Sequence, residues 1–111
     1  MKFHRGDIVK VDFNPIKGHE QGNFRPAVVV NDIPLPGDIN LVVPITTKNK
    51  TYPLEISLDD RTVTQGVMLP FQIRAVDLNN RNAKLIETLP DDLLDICSDY
   101  IKRATEKVKM D

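Results

Sequence analysis

Through residue 74 the apolar residues of this chain come in short segments, each soon broken by proline, glycine or a polar cluster. The longest, Pro26–Val30 and Leu41–Ile45, are strand-sized and far too short for a membrane span. Val9, Val11 and Phe13 alternate with Lys10 and Asp12, the period-2 pattern of a half-buried strand. Asn14-Pro15 ends it, and Lys17 to Phe24, polar with two glycines, reads as a mobile loop. After Arg25-Pro26, the run Ala27-Val28-Val29-Val30 suits a central strand covered on both faces. A second loop spans Asn31 to Asp38, and Leu41–Ile45 reads as another buried strand, with Pro44 implying an edge or bulge. Leu54, Ile56 and Leu58 alternate with polar neighbours, and so do Val67, Leu69, Phe71 and Ile73 with Met68, Pro70, Gln72 and Arg74. That spacing predicts Leu69 and Phe71 on one face, in the core or an interface, or else Phe71 exposed for stacking on a base.

Only the C-terminus changes period. Pro90 and Asp91-Asp92 suit a helix start, and Leu93, Ile96, Cys97, Tyr100, Ile101, Ala104 and Val108 form one helical stripe. Lys102, Arg103, Lys107 and Lys109 load its far end. The pattern predicts a mainly β domain with α, a small, strongly bent barrel closed by a long helix over 90–108. The 111 residues, without a repeat or linker, read as a single domain, 1–111. One cysteine, Cys97, allows neither an internal disulfide nor a cysteine-built zinc site. With no apolar signal core behind Met1, the expectation is a cytoplasmic protein without a membrane anchor.

The net charge of −1 advertises no overall positive field, but it is uneven. Residues 1–50 carry seven bases against five acids, and the remainder eight against eleven. A nucleic-acid site would therefore be a local patch in the first half. Three features there can carry chemistry, each beside a plainer reading. Gly18-His19-Glu20-Gln21-Gly22 is either a simple polar loop or a place where His19 and Glu20 exchange protons near neutral pH. Arg25 is either a rim charge or a planar fork for a phosphate. Thr46-Thr47-Lys48 follows a buried strand, where threonine is common by propensity. In the chemical reading its hydroxyl and base converge with Arg25 on one anion. No Walker pattern or metal-ligand spacing is present, and six aromatics without tryptophan are too few for a large stacking platform. In the helix, the stripe reads as core and Cys97 as a small buried hydrophobe.

Taken in order, Arg5-Gly6-Asp7-Ile8-Val9, Val11-Asp12-Phe13, Asn14-Pro15, Gly18-His19-Glu20-Gln21 and Arg25-Pro26-Ala27-Val28-Val29-Val30 resemble the MazF/PemK/Kid toxins. The resemblance continues through Val43-Pro44-Ile45-Thr46-Thr47-Lys48, Tyr52-Pro53-Leu54-Glu55, Gly66-Val67 and Gln72-Ile73-Arg74 into the closing helix. It implies an SH3-like bent barrel assembled as a homodimer, the toxin of a toxin–antitoxin pair. The implied activity is a metal- and cofactor-independent, sequence-selective endoribonuclease acting on single-stranded mRNA. The substrate's 2′-hydroxyl attacks the adjacent phosphorus, leaving a 2′,3′-cyclic phosphate and a 5′-hydroxyl. By the same resemblance Arg25, Thr46, Glu20 and His19 are catalytic, and Lys17, Gln21, Thr47, Lys48 and Gln72 contact RNA. The implied partners are RNA and a cognate antitoxin.

The chain departs from the Kid branch at Leu69 and Phe71, where that branch carries an arginine and an aspartate implicated in cleavage. Chemistry would then rest on Arg25, Thr46 and the first loop. Two alternatives share the fold: a gyrase inhibitor resembling CcdB, and a degenerate module that binds RNA without cutting. The CcdB-type aromatic-glycine ending is missing, since the sequence closes on Lys109-Met110-Asp111.

Overall fold

A computed structural model of the chain describes residues 2–13, 24–48 and 53–108. Within them lie β1 (Asp7–Asp12), β2 (Phe24–Val29), β3 (Asn40–Thr46), β4 (Ile56–Ser57), β5 (Val67–Met68), β6 (Arg74–Val76), β7 (Lys84–Thr88) and the helix α1 (Asp91–Thr105). All pairings are antiparallel, in the order β4-β5-β3-β2-β1-β7, with β6 also joined to β3.

The apolar run of β2 is covered on both sides, as its composition predicts. Val28 packs with Ile8, Val43, Ile45 and Met68 under the helix residues Leu93, Leu94 and Cys97. Ala27 and Val29 point the other way, into a cluster with Val9, Val11, Val42, Phe3, Val76 and Leu78. The sheet thus carries an apolar core on each of its two faces.

Pro44 sits inside the sheet and not at its edge. It faces Ala27 of β2, while its carbonyl accepts a hydrogen bond from the Leu69 N–H on the opposite side. On that side β3 changes partner, from β6 at Asn40–Val42 to β5 at Ile45–Thr46. A strand residue's nitrogen and carbonyl point the same way, so the missing N–H of Pro44 falls in the gap between two partners.

The same gap overturns the alternation expected over 67–74. β5 stops at Met68, a single 3-10 turn follows at Pro70–Gln72, and β6 restarts at Arg74. Residues two apart in such a turn differ by about 240°, so Leu69 is buried at 6% exposure while Phe71 is 46% exposed. The expectation that Phe71 belongs to this chain's core is therefore wrong. The alternation around Ile56 is also shorter than expected: β4 has two residues, and Leu54 is exposed with φ +71°.

The helix is shorter than 90–108 and its stripe is shifted. Leu93, Leu94 and Cys97 are buried and Tyr100 and Ile101 half-buried, whereas Ile96 is exposed at the stripe's margin. From Lys102 to Val108 every residue is exposed, so Ala104 and Val108 cover no core. Burial pushes the Cys97 thiol up to about 11, against a smaller opposing pull from Arg5, which suits an inert core residue.

Strand β7 carries no sequence signature because it has no buried face: only Glu87 is even half-buried. Its function in the fold lies in that residue. The Glu87 carboxylate accepts hydrogen bonds from the Val63 N–H (3.0 Å), the Thr64 N–H (2.7 Å) and the Thr64 hydroxyl (2.7 Å). This clasp joins the last strand at one end of the order to the β4–β5 connection at the other. Desolvation works against the Glu87 charge, but the three donors outweigh it and hold the carboxyl below its ordinary range. Two residues earlier in that connection, Arg61 makes paired bonds of 2.8 and 2.9 Å to Asp92 in the first helical turn and also holds Asp59.

Candidate active site

On β2, Arg25, Ala27 and Val29 share one face by strand alternation; on β3, Val42, Pro44 and Thr46 do the same. The recorded register pairs Ala27 with Pro44 and Val29 with Val42. Continued two residues, it sets Arg25 opposite Thr46. This is the face of the second apolar cluster, and β1 and β6 contribute Phe13 and Arg74 to it by the same parity, Val11 pairing with Arg25 and Arg74 with Val42. Toward the interior the face is Val9, Val11, Val29 and Val76. Toward the end where β1 and β3 finish, the same face becomes polar.

There it opens into a cleft of about 360 Å³. Arg25, Thr46, Lys48 and Gln72 all line it, so the structure brings together four of the residues singled out in the sequence. Thr47 is exposed and does not line the cleft. Lys17, His19, Glu20 and Gln21 lie outside the described residues. Phe13, Pro44, Ile45 and Leu69 form the apolar part of the wall.

Arg74 also lines it, and sequence reasoning missed both Arg74 and Phe13 as site residues. The signal was the strand parity, but the 3-10 turn before β6 resets that parity and hides it. The Arg74 guanidinium lies over the Phe13 ring, 4.7 Å from its centroid. The described lining thus holds three cations and no carboxylate. Among the described residues, no ion pair involves Arg25, Lys48 or Arg74; the pairs lie elsewhere. Such a wall attracts an anion strongly despite the chain's net charge.

Thr46 is oriented for donation. Its Oγ1 accepts a hydrogen bond from the Lys48 N–H at 3.1 Å, which leaves the hydroxyl hydrogen to point at a ligand. Gly66 fixes the strand behind it: φ is +125°, and a Cβ there would run into the carbonyl of Thr46. Among the described residues no group of three or more His, Cys, Asp or Glu side chains gathers to hold a metal, and no helix is long and apolar enough to cross a membrane.

A larger cavity, about 510 Å³, opens at the opposite end of the strands beside Asn31–Leu35 and Lys2–His4. Its charges are mixed, Lys2 against Asp32 and Asp38, and none of the candidate residues reaches it. Chemistry therefore favours the smaller cleft.

The chain is similar to known proteins along most of its length. The family model for PemK-like, MazF-like toxins of type II toxin–antitoxin systems matches residues 4–105. The endoribonuclease toxin MazF of Escherichia coli K12 is 39% identical over 80 residues, covering 70% of this chain and 71% of that one. The endoribonuclease toxin ChpB of the same strain is 37% identical over 107 residues, covering 85% and 86%. Among solved structures, MazF of Deinococcus radiodurans superposes with a TM-score of 0.80 at 29% identity, covering 94% of this chain and 96% of that one. A MazE–MazF complex from the same organism gives 0.83 at 28%, with the same coverage.

Proposed function

The chain belongs to the PemK-like, MazF-like toxins of type II toxin–antitoxin systems, and from that premise we propose that its basic cleft cuts single-stranded RNA without a metal or cofactor. The observation that carries this reading is the convergence of Arg25, Thr46, Lys48 and Gln72 in one wall whose described residues include no carboxylate, in a chain whose relatives are endoribonucleases.

In-line displacement at phosphorus needs the 2′-hydroxyl deprotonated, the 5′-oxygen protonated, and charge on the phosphoryl oxygens stabilised. Arg25 supplies a fixed positive fork for the phosphoryl oxygens and shares the proton transfers. Thr46 donates its hydroxyl hydrogen to the same developing charge. Glu20 and His19 act from the first loop as the remaining base and acid. Attack by the 2′-oxygen breaks the bond to the 5′-oxygen and leaves a 2′,3′-cyclic phosphate and a 5′-hydroxyl. Lys48 and Gln72 hold the strand on either side, joined by Thr47 and, from the loop, by Lys17 and Gln21. With mRNA as substrate, the site of action is the cytoplasm and the outcome is arrested translation.

The active form is a homodimer, as the family resemblance implies, and a cognate antitoxin silences it; the MazE–MazF complex of a Deinococcus relative supports such a partner. Incubation of the purified protein with a long RNA, in EDTA and with fragment ends mapped, tests the reading. Discrete fragments with cyclic-phosphate and 5′-hydroxyl ends are expected. RNA that binds but stays intact would instead make the chain a non-cleaving toxin of the same fold.

A further inference from the structure

Arg74 is the cation in the cleft that the catalytic scheme leaves without a task. It is the first residue of β6, exposed, and lies over the half-buried ring of Phe13, which packs on the second apolar cluster. We propose that Arg74, seated on Phe13, is a substrate-positioning residue that binds the phosphate of a nucleotide flanking the cut. The proposal rests on the RNA-cleaving reading of the cleft.

Three observations carry it. First, the guanidinium carbon sits 4.7 Å from the Phe13 centroid, so the ring gives a seat to a planar fork of the kind that phosphate oxygens match in pairs. Second, among the described residues no ion pair or side-chain hydrogen bond occupies the guanidinium, and no carboxylate lines the cleft to compete for it. Third, Arg74 is anchored opposite Val42, whereas the β2–β3 register, continued two residues beyond Ala27–Pro44, sets Arg25 opposite Thr46. Four residues of β3 separate the two anchor points, about 13 Å at strand rise. Two cations rooted that far apart along the strand suit successive phosphates of one extended chain better than one phosphate gripped twice.

The test uses a Thr46→Ala chain, expected to bind RNA without cutting it, and a short labelled single-stranded RNA of mixed sequence over a range of salt. Adding Arg74→Ala is expected to weaken binding about tenfold, as loss of a charge-assisted hydrogen bond does, and to reduce the salt slope by about 0.7, one phosphate's share. Arg74→Lys should restore the slope but only part of the affinity, because an ammonium lacks the seated fork. With Thr46 intact, Arg74→Ala should raise KM while kcat changes by no more than a few-fold. Unchanged affinity and slope, in a chain whose parent binds and cuts RNA, would overturn the role of Arg74 alone. A shifted cut sequence at constant slope would overturn it as well, by making Arg74 a base reader. A parent chain that neither binds nor cuts RNA removes both this role and the reading beneath it.

Discussion

Arg25 and Thr46 line one cleft, and in the proposed mechanism each offers a different group to the same anion. Removing a transition-state donor typically costs about 10²–10³ in rate. Arg25→Ala and Thr46→Ala should therefore each cripple single-turnover cleavage, while the melting temperature holds because Arg25 is exposed and Thr46 only half-buried. Near-normal turnover in both variants would remove them from the active site. Gly66 acts at one remove. Its φ of +125° and its contact with the Thr46 backbone mean that Gly66→Ala should destabilise by about 1–2 kcal/mol or more and slow cleavage by displacing Thr46. An alanine variant with unchanged stability and rate would show that the backbone there has room to spare. At this scale the sequence was informative where a residue sits directly after or before a buried run, as Arg25 and Thr46 do. It was silent for Phe13 and Arg74, whose pairing depends on a turn that no periodicity announces.

Among the elements, the legible ones have a buried face. β2 shows itself through an unbroken apolar run, and α1 through Leu93, Cys97 and Tyr100 at helical spacing. β7 was invisible because nearly all of it is exposed, and β5 to β6 was misread as one strand because its residues happen to alternate across a 3-10 turn. That misreading has a measurable consequence. Leu69→Ala should cost about 2–5 kcal/mol in urea unfolding, as a buried leucine does, whereas Phe71→Ala, nearly half exposed, should cost much less. Equal losses would restore Phe71 to the core. The Glu87 clasp adds a pH dependence with a definite sign. Its carboxyl is held low in the folded chain, so its contribution is present above the unfolded value of about 4.3 and is lost as pH falls through the lower folded value. The melting temperature should accordingly drop in acid, and Glu87→Gln should lower it at neutral pH while flattening the acid limb. Superimposable acid profiles for the two proteins would mean that the clasp contributes nothing.

For the whole molecule, a net charge of −1 and a cleft without a carboxylate among its described residues are both true at once, because the acids gather in the second half and around α1. RNA affinity should thus fall steeply with salt even though the chain is slightly acidic, and binding that ignores salt would show that the cleft is not gripping phosphates. The same local field defines the inhibitor. An antitoxin segment that is acidic and disordered until bound would cover the cleft by imitating the phosphate chain, and its affinity should weaken with salt in parallel. The central claim is that this cleft uses the substrate's own 2′-hydroxyl. A single comparison tests it most directly: an oligoribonucleotide spanning a mapped cut site against the same strand with one 2′-deoxy sugar at that site, both in EDTA. The all-ribose strand should be cut and the substituted strand should survive; cleavage of the deoxy strand, or loss of all cutting in EDTA, would contradict the mechanism.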